Sequence, residues 1–291
     1  MIKGSIVALV TPFHADGSVN FEKLGELIEW HIVAGTDAVL VLGTTGETPT
    51  MTHEEDTAVV EYAIKKAAGR IPIYVGAGSN HTQTQITYCK KYEAMGAEAL
   101  LVISPYYNKA NEEGMYRHFA ATADAVHTPL ILYTVPGRTG CSIPISVVKR
   151  LAAHPNIAAI KEASGNMSYA MQVAELINDN FQMLSGNDDI TVPLMSVGGS
   201  GVISVWANIM PEVCKAMVEA AAAGDFATAR SLQLRYLTLM NDLFIEVNPI
   251  PVKEALNLMG RNVGGFRLPL CEMTQAHRDV LAASMKEAGL L

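Results

Sequence analysis

The chain has 291 residues, is 49% hydrophobic and 17% charged, and carries a formal net charge of −8. This length suits one large α/β domain or two ordinary ones, and the composition excludes a disordered chain. The acidic balance, without any basic run, excludes a general nucleic-acid surface, and an anionic substrate would need a local cation. Cys89, Cys141, Cys214 and Cys271 are far apart and show no paired metal spacing. With no disulfide framework and no secretory signal, the expected compartment is a reducing cytoplasm. No apolar run is long enough to cross a bilayer.

In chain order, residues 4–13 read as a first strand, closed by Pro12 and a turn at Asp16-Gly17. Asn20 caps a helix with the apolar stripe Leu24, Leu27, Ile28 and Ile32, and Gly35 stops it. Residues 37–43 form the second strand, which runs into the polar turn Thr44-Thr45-Gly46-Glu47. Thr52 and Glu55 predict a capping box on the next helix. The unit then repeats. Residues 71–78 are a third strand, followed by a second predicted capping box at Thr82 and Gln85. Residues 99–106 and 130–136 are the fourth and fifth strands, with a helix over 111–126 between them and another starting near Pro144. Residues 156–164 hold the sixth strand, 181–187 the seventh and 201–205 the eighth. Asn166 caps the helix after the sixth, and a short helix spans 189–197.

Eight alternating units over roughly 220 residues predict a parallel (β/α)8 TIM barrel. After it, 211–223 reads as the eighth barrel helix and Gly224-Asp225 breaks the chain. Helices near 226–245, 251–259 and 274–288 follow with no strand among them. The expected organisation is a catalytic barrel, residues 1–224, and a C-terminal helical extension, 225–291, packed on it.

The sixth strand carries the most unusual residue. Ile157, Ala158, Ala159 and Ile160 form an unbroken apolar run, and Lys161 follows at once. Strand alternation puts Ala159, Lys161 and Ala163 on one face, with small neighbours around the ammonium. Burial favours the neutral amine, which can attack a ketone and form a Schiff base. Alone, the segment favours a lysine that snorkels to solvent or pairs with Glu162 over a catalytic one. Barrel chemistry sits at the C-terminal ends of the strands, however, and there the sequence gathers Thr44, Thr45, Tyr106, Tyr107, Tyr133, Arg138, Lys161 and Gly186. Each has an ordinary structural explanation by itself; their convergence on one mouth favours catalysis. Tyr133 can pass the protons that dehydration of a carbinolamine needs, and Thr44 can hold that phenol. Amides at the Thr44-Thr45 turn suit one carboxylate, and Arg138 suits a second. The implied chemistry is carbon–carbon bond formation or cleavage through a lysine Schiff base of a keto acid. The histidines show no ligand spacing, so no metal is expected. Gly76-Ala77-Gly78 lacks the rest of a dinucleotide fingerprint, and 198–201 reads as a tight turn at the opposite end.

The motifs GTTGE (43–47), PYYN (105–108), YTVPGRTG (133–140), IKEA (160–163) and GVISV (201–205), with NPIPVK (248–253), resemble the dihydrodipicolinate synthase family of pyruvate-dependent aldolases along the whole chain. The resemblance implies condensation of pyruvate with aspartate semialdehyde in lysine biosynthesis, with no cofactor beyond the covalent adduct at Lys161. It implies a proton relay of Tyr133, Thr44 and Tyr107. The Tyr107 equivalent reaches in from a neighbouring subunit, so a dimer is the minimum unit and a homotetramer usual. Arg138 matches the residue that receives the semialdehyde carboxylate, and Thr45, Gly186 and Ile203 match positions lining the pyruvate site. Thr134 replaces a common Asn and faces away from Tyr133. His53, Asn80 and Tyr106 fit an allosteric lysine site, but Asp56 and Thr84 stand where feedback-sensitive members carry His and Glu, so lysine inhibition is expected to be weak or absent. The rival readings are an N-acetylneuraminate lyase or keto-deoxy-sugar-acid aldolase, which usually lack Arg138 in this context, and a silent keto-acid sensor.

Overall fold

The structure, a computed structural model, describes residues 2–291. Eight strands, β1 (Gly4–Ala8), β2 (Ala38–Val41), β3 (Ile73–Gly76), β4 (Ala99–Ile103), β5 (Leu130–Thr134), β6 (Ile157–Glu162), β7 (Gln182–Ser185) and β8 (Gly201–Ser204), close into a barrel. Every pairing is parallel, and β8 closes on β1 with Ile203 opposite Ile6. Closure brings backbones close together. A Cβ at Gly201, whose φ is +151°, would lie 2.1 Å from the Gly4 carbonyl oxygen, so no other residue fits without distortion.

Strand alternation divides the core in two. Ile6, Ala8, Leu40, Tyr74, Leu101, Ile131, Tyr133, Ala159, Leu184 and Ile203 fill the barrel interior. Their neighbours, such as Val7, Val39, Val75, Leu100, Leu132, Ile160 and Val202, pack outward against the helices. Those helices are α1 (Phe21–Val33), α2 (His53–Ala67), α3 (Thr82–Met95), α4 (Glu112–Asp124), α5 (Pro136–Thr139), α6 (Ile145–Leu151), α7 (Met167–Ala174), α8 (Thr191–Ser196) and α9 (Pro211–Ala222). Four more follow: α10 (Phe226–Arg235), α11 (Leu237–Asp242), α12 (Ile250–Leu258) and α13 (Gln275–Glu287).

Asn20, Asn111 and Asn166 cap α1, α4 and α7, and Thr52 and Glu55 close a reciprocal box on α2. The second expected box is absent. His81 is the cap residue of α3, and Thr82 lies inside the helix with its hydroxyl 2.9 Å from His118 Nδ1. Gln85 is buried and accepts from the Ser79 amide while donating to Thr122. A buried network outcompetes the local cap. The helix expected over 226–245 is split between α10 and α11 at Tyr236, whose ring packs on Trp206 with centroids 5.5 Å apart. Pro144 caps α6 rather than opening it.

The strands are shorter than the apolar runs. Residues 9–13 remain buried beyond β1, and after Leu9, whose amide still bonds the Leu40 carbonyl, the ladder gives way to side-chain and loop partners: Val10 N donates to Asn208 Oδ1 and the Thr11 hydroxyl to the Gly46 carbonyl. Phe13 N donates to Val263 O, and Lys253 Nζ lies 4.3 Å from the Phe13 ring centroid. Burial, not strand pairing, sets the length of that run. Among the described residues no helix is long and apolar enough to cross a membrane.

Candidate active site

Lys161 is the fifth residue of β6 and points into the barrel above Ala159. It is register partner to Tyr133 on β5 and to Leu184 on β7. The side chain is 6% exposed, so it does not reach solvent. Glu162 is not its partner either: that carboxylate is on the opposite face and accepts from the Ser164 amide at 2.7 Å. Burial pulls the Lys161 amine down to about 8, with Asp188 opposing that shift and Arg138 adding to it. A substantial neutral fraction is therefore present near pH 8.

Room for the side chain comes from β7. A Cβ at Gly186 would lie 2.6 Å from Ala163 Cβ and 3.0 Å from Lys161 Cε. The cavity at the lysine, about 80 Å³, is lined by Thr44, Thr45, Tyr133, Arg138, Gly186 and Asn248, among others. That volume suits a small molecule of a few heavy atoms. It lies at the C-terminal ends of the strands, as a barrel enzyme requires.

The GTTGE turn leaves β2 through Leu42 (φ 56°) and forms one 3-10 turn over Thr44–Gly46. Thr45 is buried and its hydroxyl accepts from Asn248 Nδ2 at 3.0 Å. Thr44 is half-buried beside the Tyr133 phenol. Burial pushes that phenol up, while the Arg138 guanidinium and the Thr44 hydroxyl pull it down. Arg138 belongs to α5, a single turn that the sequence reading lacked, and it reaches the Asn248 carbonyl at 3.4 Å.

Two expected residues lie outside this cavity. Ile203 is on β8 in the interior, one layer below the mouth. Tyr107 is 94% exposed and adopts φ 64°, a left-handed conformation that costs a tyrosine energy. Tyr106, beside it, lines an adjoining cleft of about 450 Å³ with His53, Asp56, Thr84 and Tyr88. Asn80 is exposed and donates to the Tyr106 carbonyl at 3.3 Å. Thr134 turns from the cavity as expected, and its hydroxyl accepts from the Ile143 amide.

The dihydrodipicolinate synthetase family model matches residues 1–288. The chain belongs to the dihydrodipicolinate synthetase family. It is 49% identical over 291 residues to the 4-hydroxy-tetrahydrodipicolinate synthase of Clostridium perfringens strain SM101, covering 100% of both chains. The chloride-inhibited dihydrodipicolinate synthase of Acinetobacter baumannii, solved in complex with pyruvate, superposes with a TM-score of 0.98 at 43% identity and 100% coverage of both chains. A structure described as the first monomeric dihydrodipicolinate synthase variant gives a TM-score of 0.97 at 36% identity, covering 100% of this chain and 98% of that one.

Within this family member, sequence reasoning missed Asn248, Asp188 and the pair Glu47–Lys253. Asn248 is buried, and its side chain ties the C-terminal extension to the GTTGE turn. Lys253 is fully buried and bonds Glu47 Oε1 at 2.7 Å. Its signal was available: like Lys161, it directly follows an apolar run, 250–252, and is itself followed by a glutamate. Among the described residues no group of three or more His, Cys, Asp and Glu side chains could hold a metal ion.

Proposed function

We propose that Lys161 forms the Schiff base with pyruvate in a 4-hydroxy-tetrahydrodipicolinate synthase, which condenses pyruvate with aspartate semialdehyde in lysine biosynthesis. The observation that carries this reading is the buried, unpaired amine at the strand ends, with a phenol, a hydroxyl and a guanidinium sharing its cavity. The amine attacks the ketone carbon, and the carbonyl oxygen leaves as water after two proton transfers. The iminium then acts as an electron sink: the methyl carbon gives its proton to the relay, the C–H electron pair neutralises the nitrogen, and the resulting enamine carbon attacks the aldehyde.

Tyr133, Thr44 and Tyr107 relay these protons. Tyr107 does so from a neighbouring subunit, a reading supported by its exposure and its held left-handed backbone. A dimer is then the minimum working unit, and a dimer of dimers the expected assembly. Arg138 receives the semialdehyde carboxylate by bidentate hydrogen bonding. Thr45, Gly186 and Ile203 shape the pyruvate site. Residues 1–224 act as the catalytic barrel and 225–291 as its packed extension, and the enzyme works in the cytoplasm without a metal or other cofactor.

Borohydride trapping tests this reading. After incubation with pyruvate, reduction and digestion, the added mass is expected on Lys161 and is lost in Lys161→Ala. Folded protein that gains no mass would remove the lysine from the mechanism. Cleavage of sugar acids with no condensation of aspartate semialdehyde would reassign the substrate.

A further inference from the structure

Charge at the barrel mouth is unbalanced. The charged side chains lining the cavity are Lys161 and Arg138, both cationic, and no carboxylate joins them. Two nearby carboxylates are committed elsewhere: Glu162 to the Ser164 amide on the opposite strand face, and Glu47 to Lys253. Asp188 is held by amides too, but on the neighbouring strand end. It begins the 3-10 turn Asp188–Ile190, two residues beyond Gly186, where a Cβ would come within 3.0 Å of Lys161 Cε. Its Oδ2 accepts from the amides of Val205 at 3.0 Å and Trp206 at 2.8 Å, just past β8. The carboxylate is thus suspended between the ends of β7 and β8, one strand along from Lys161. It is 3% exposed, and Oδ1 accepts no hydrogen bond from any described residue.

A buried carboxylate is costly unless held and balanced. Burial pushes the Asp188 carboxyl up, while the Ser204 hydroxyl, the two amides and the Lys161 charge pull it down. The other ionisable group facing it is Cys214 on α9, whose thiol burial pushes up to about 12 and so keeps neutral. From α10, Gln233 bonds the Asp188 backbone carbonyl, not the carboxylate. The charges acting on Lys161 are those of Asp188, which favours the ammonium, and Arg138, which opposes it, and the Tyr133 ring centroid lies 4.4 Å from its nitrogen.

We propose that Asp188 is a positioning residue for the covalent step: its buried carboxylate, fixed by the Val205 and Trp206 amides, is the counter-charge to the iminium formed at Lys161. This rests on the Schiff-base reading above. Along the reaction the nitrogen is charged as ammonium, neutral as attacking amine, charged again as iminium once water has left, and neutral as enamine after the methyl proton departs. A fixed anion lowers the energy of the charged species without touching the substrate, and being preorganised it needs no rearrangement during the step.

The test is the pH profile of borohydride-trapped Lys161 adduct in the full-length enzyme, wild type against Asp188→Asn, with Lys161→Ala as the blank. Loss of the anion is expected to move half-maximal adduct formation about one pH unit lower, because the amine is then easier to deprotonate. It is also expected to lower the trapped fraction at saturating pyruvate by about tenfold. Asp188→Glu, which keeps the charge, is expected to shift the midpoint and the trapped fraction less. Asp188→Ala is the second charge-removing variant if Asp188→Asn does not fold. A folded Asp188→Asn or Asp188→Ala enzyme with the wild-type midpoint and adduct level would overturn the proposal. Absence of adduct in the wild type would instead overturn the Schiff-base reading itself, and the counter-charge with it.

Discussion

Lys161 and Tyr133 are register partners on adjacent strands, and the lysine nitrogen lies 4.4 Å from the centre of the phenol ring. Strand pairing therefore sets the amine and the phenol side by side, and no loop has to close to bring them together. Burial acts on both groups in the direction that keeps each uncharged: the amine falls to about 8 and the phenol rises. At neutral pH this gives a partly deprotonated nucleophile beside a protonated phenol.

The sign of the pH dependence follows. Below about 8 the amine is mostly protonated and cannot attack, so adduct formation slows as pH falls. The initial rate of pyruvate adduct formation is expected to rise through pH 7 to 9 with its midpoint near 8, rather than near the ordinary lysine value of about 10.4. Tyr133→Phe should keep that midpoint within the range burial sets and lower turnover by roughly 10²–10⁴-fold. Stopped-flow and steady-state rates across this pH range check both statements.

Gly186 offers a steric test. Alanine there places its Cβ 2.6 Å from Ala163 Cβ, 3.0 Å from Lys161 Cε and 3.1 Å from the Glu162 carbonyl, so the β6 backbone must give and the lysine stem moves with it. A displacement of about 1 Å at a reacting atom costs on the order of 100-fold in rate. Gly186→Ala is expected to lose that much in kcat/KM and to lower the thermal midpoint as well, since overpacking costs about 1–3 kcal/mol. Gly137→Ala, with nothing within 4 Å of its Cβ, should behave as wild type.

The barrel was legible because its two periods are clean. Alternating strands such as Ala159, Ile160, Lys161, Glu162 separate interior from helix-facing residues, and the helix caps at Asn20, Thr52, Asn111 and Asn166 are local. What escaped depends on contacts far apart in sequence. Gln85 looked like a capping residue but serves a network with Ser79 and Thr122. Asp188 falls between the expected seventh strand and the short helix with no local pattern to mark it, and only closure of β8 onto β7 brings the Val205 and Trp206 amides to it. Residues 9–13 looked like more strand because burial by α12 and its neighbours leaves the same apolar pattern as burial in a sheet.

The pair Glu47–Lys253 contains a second buried lysine, this one held by a carboxylate. Both side chains are fully buried, the lysine also donates to the Gly265 carbonyl, and Phe13 and Phe266 flank it. Burial lowers the lysine and Glu47 opposes that shift. Removing one partner leaves the other charge buried alone, which costs roughly 3–5 kcal/mol. Lys253→Met should therefore lower the urea midpoint sharply, whereas Lys253→Met combined with Glu47→Gln should recover part of the loss. Equal midpoints for the single and double variants would show that the ion pair itself contributes little.

Regulation by the pathway's end product is the remaining expectation, and it is set at the wider cleft. There Asp56 is 5% exposed, burial pushes its carboxyl up to about 6, and His53 Nδ1 lies 4.0 Å away. Thr84 presents only a hydroxyl, and that hydroxyl is engaged by His81 Nδ1 at 2.7 Å. A lysine ligand would find no α3 carboxylate lining the cleft, since Glu93 is held by the His127 and Thr128 amides, and the Asp56 carboxyl on α2 is recessed beside His53. Initial-rate titration is expected to show no inhibition by submillimolar lysine. Thr84→Glu with Asp56→His should introduce it, because an α3 carboxylate then faces the cleft without a buried acid beside it. Strong inhibition of the unmodified enzyme would show that Asp56 can take over the role of the missing glutamate.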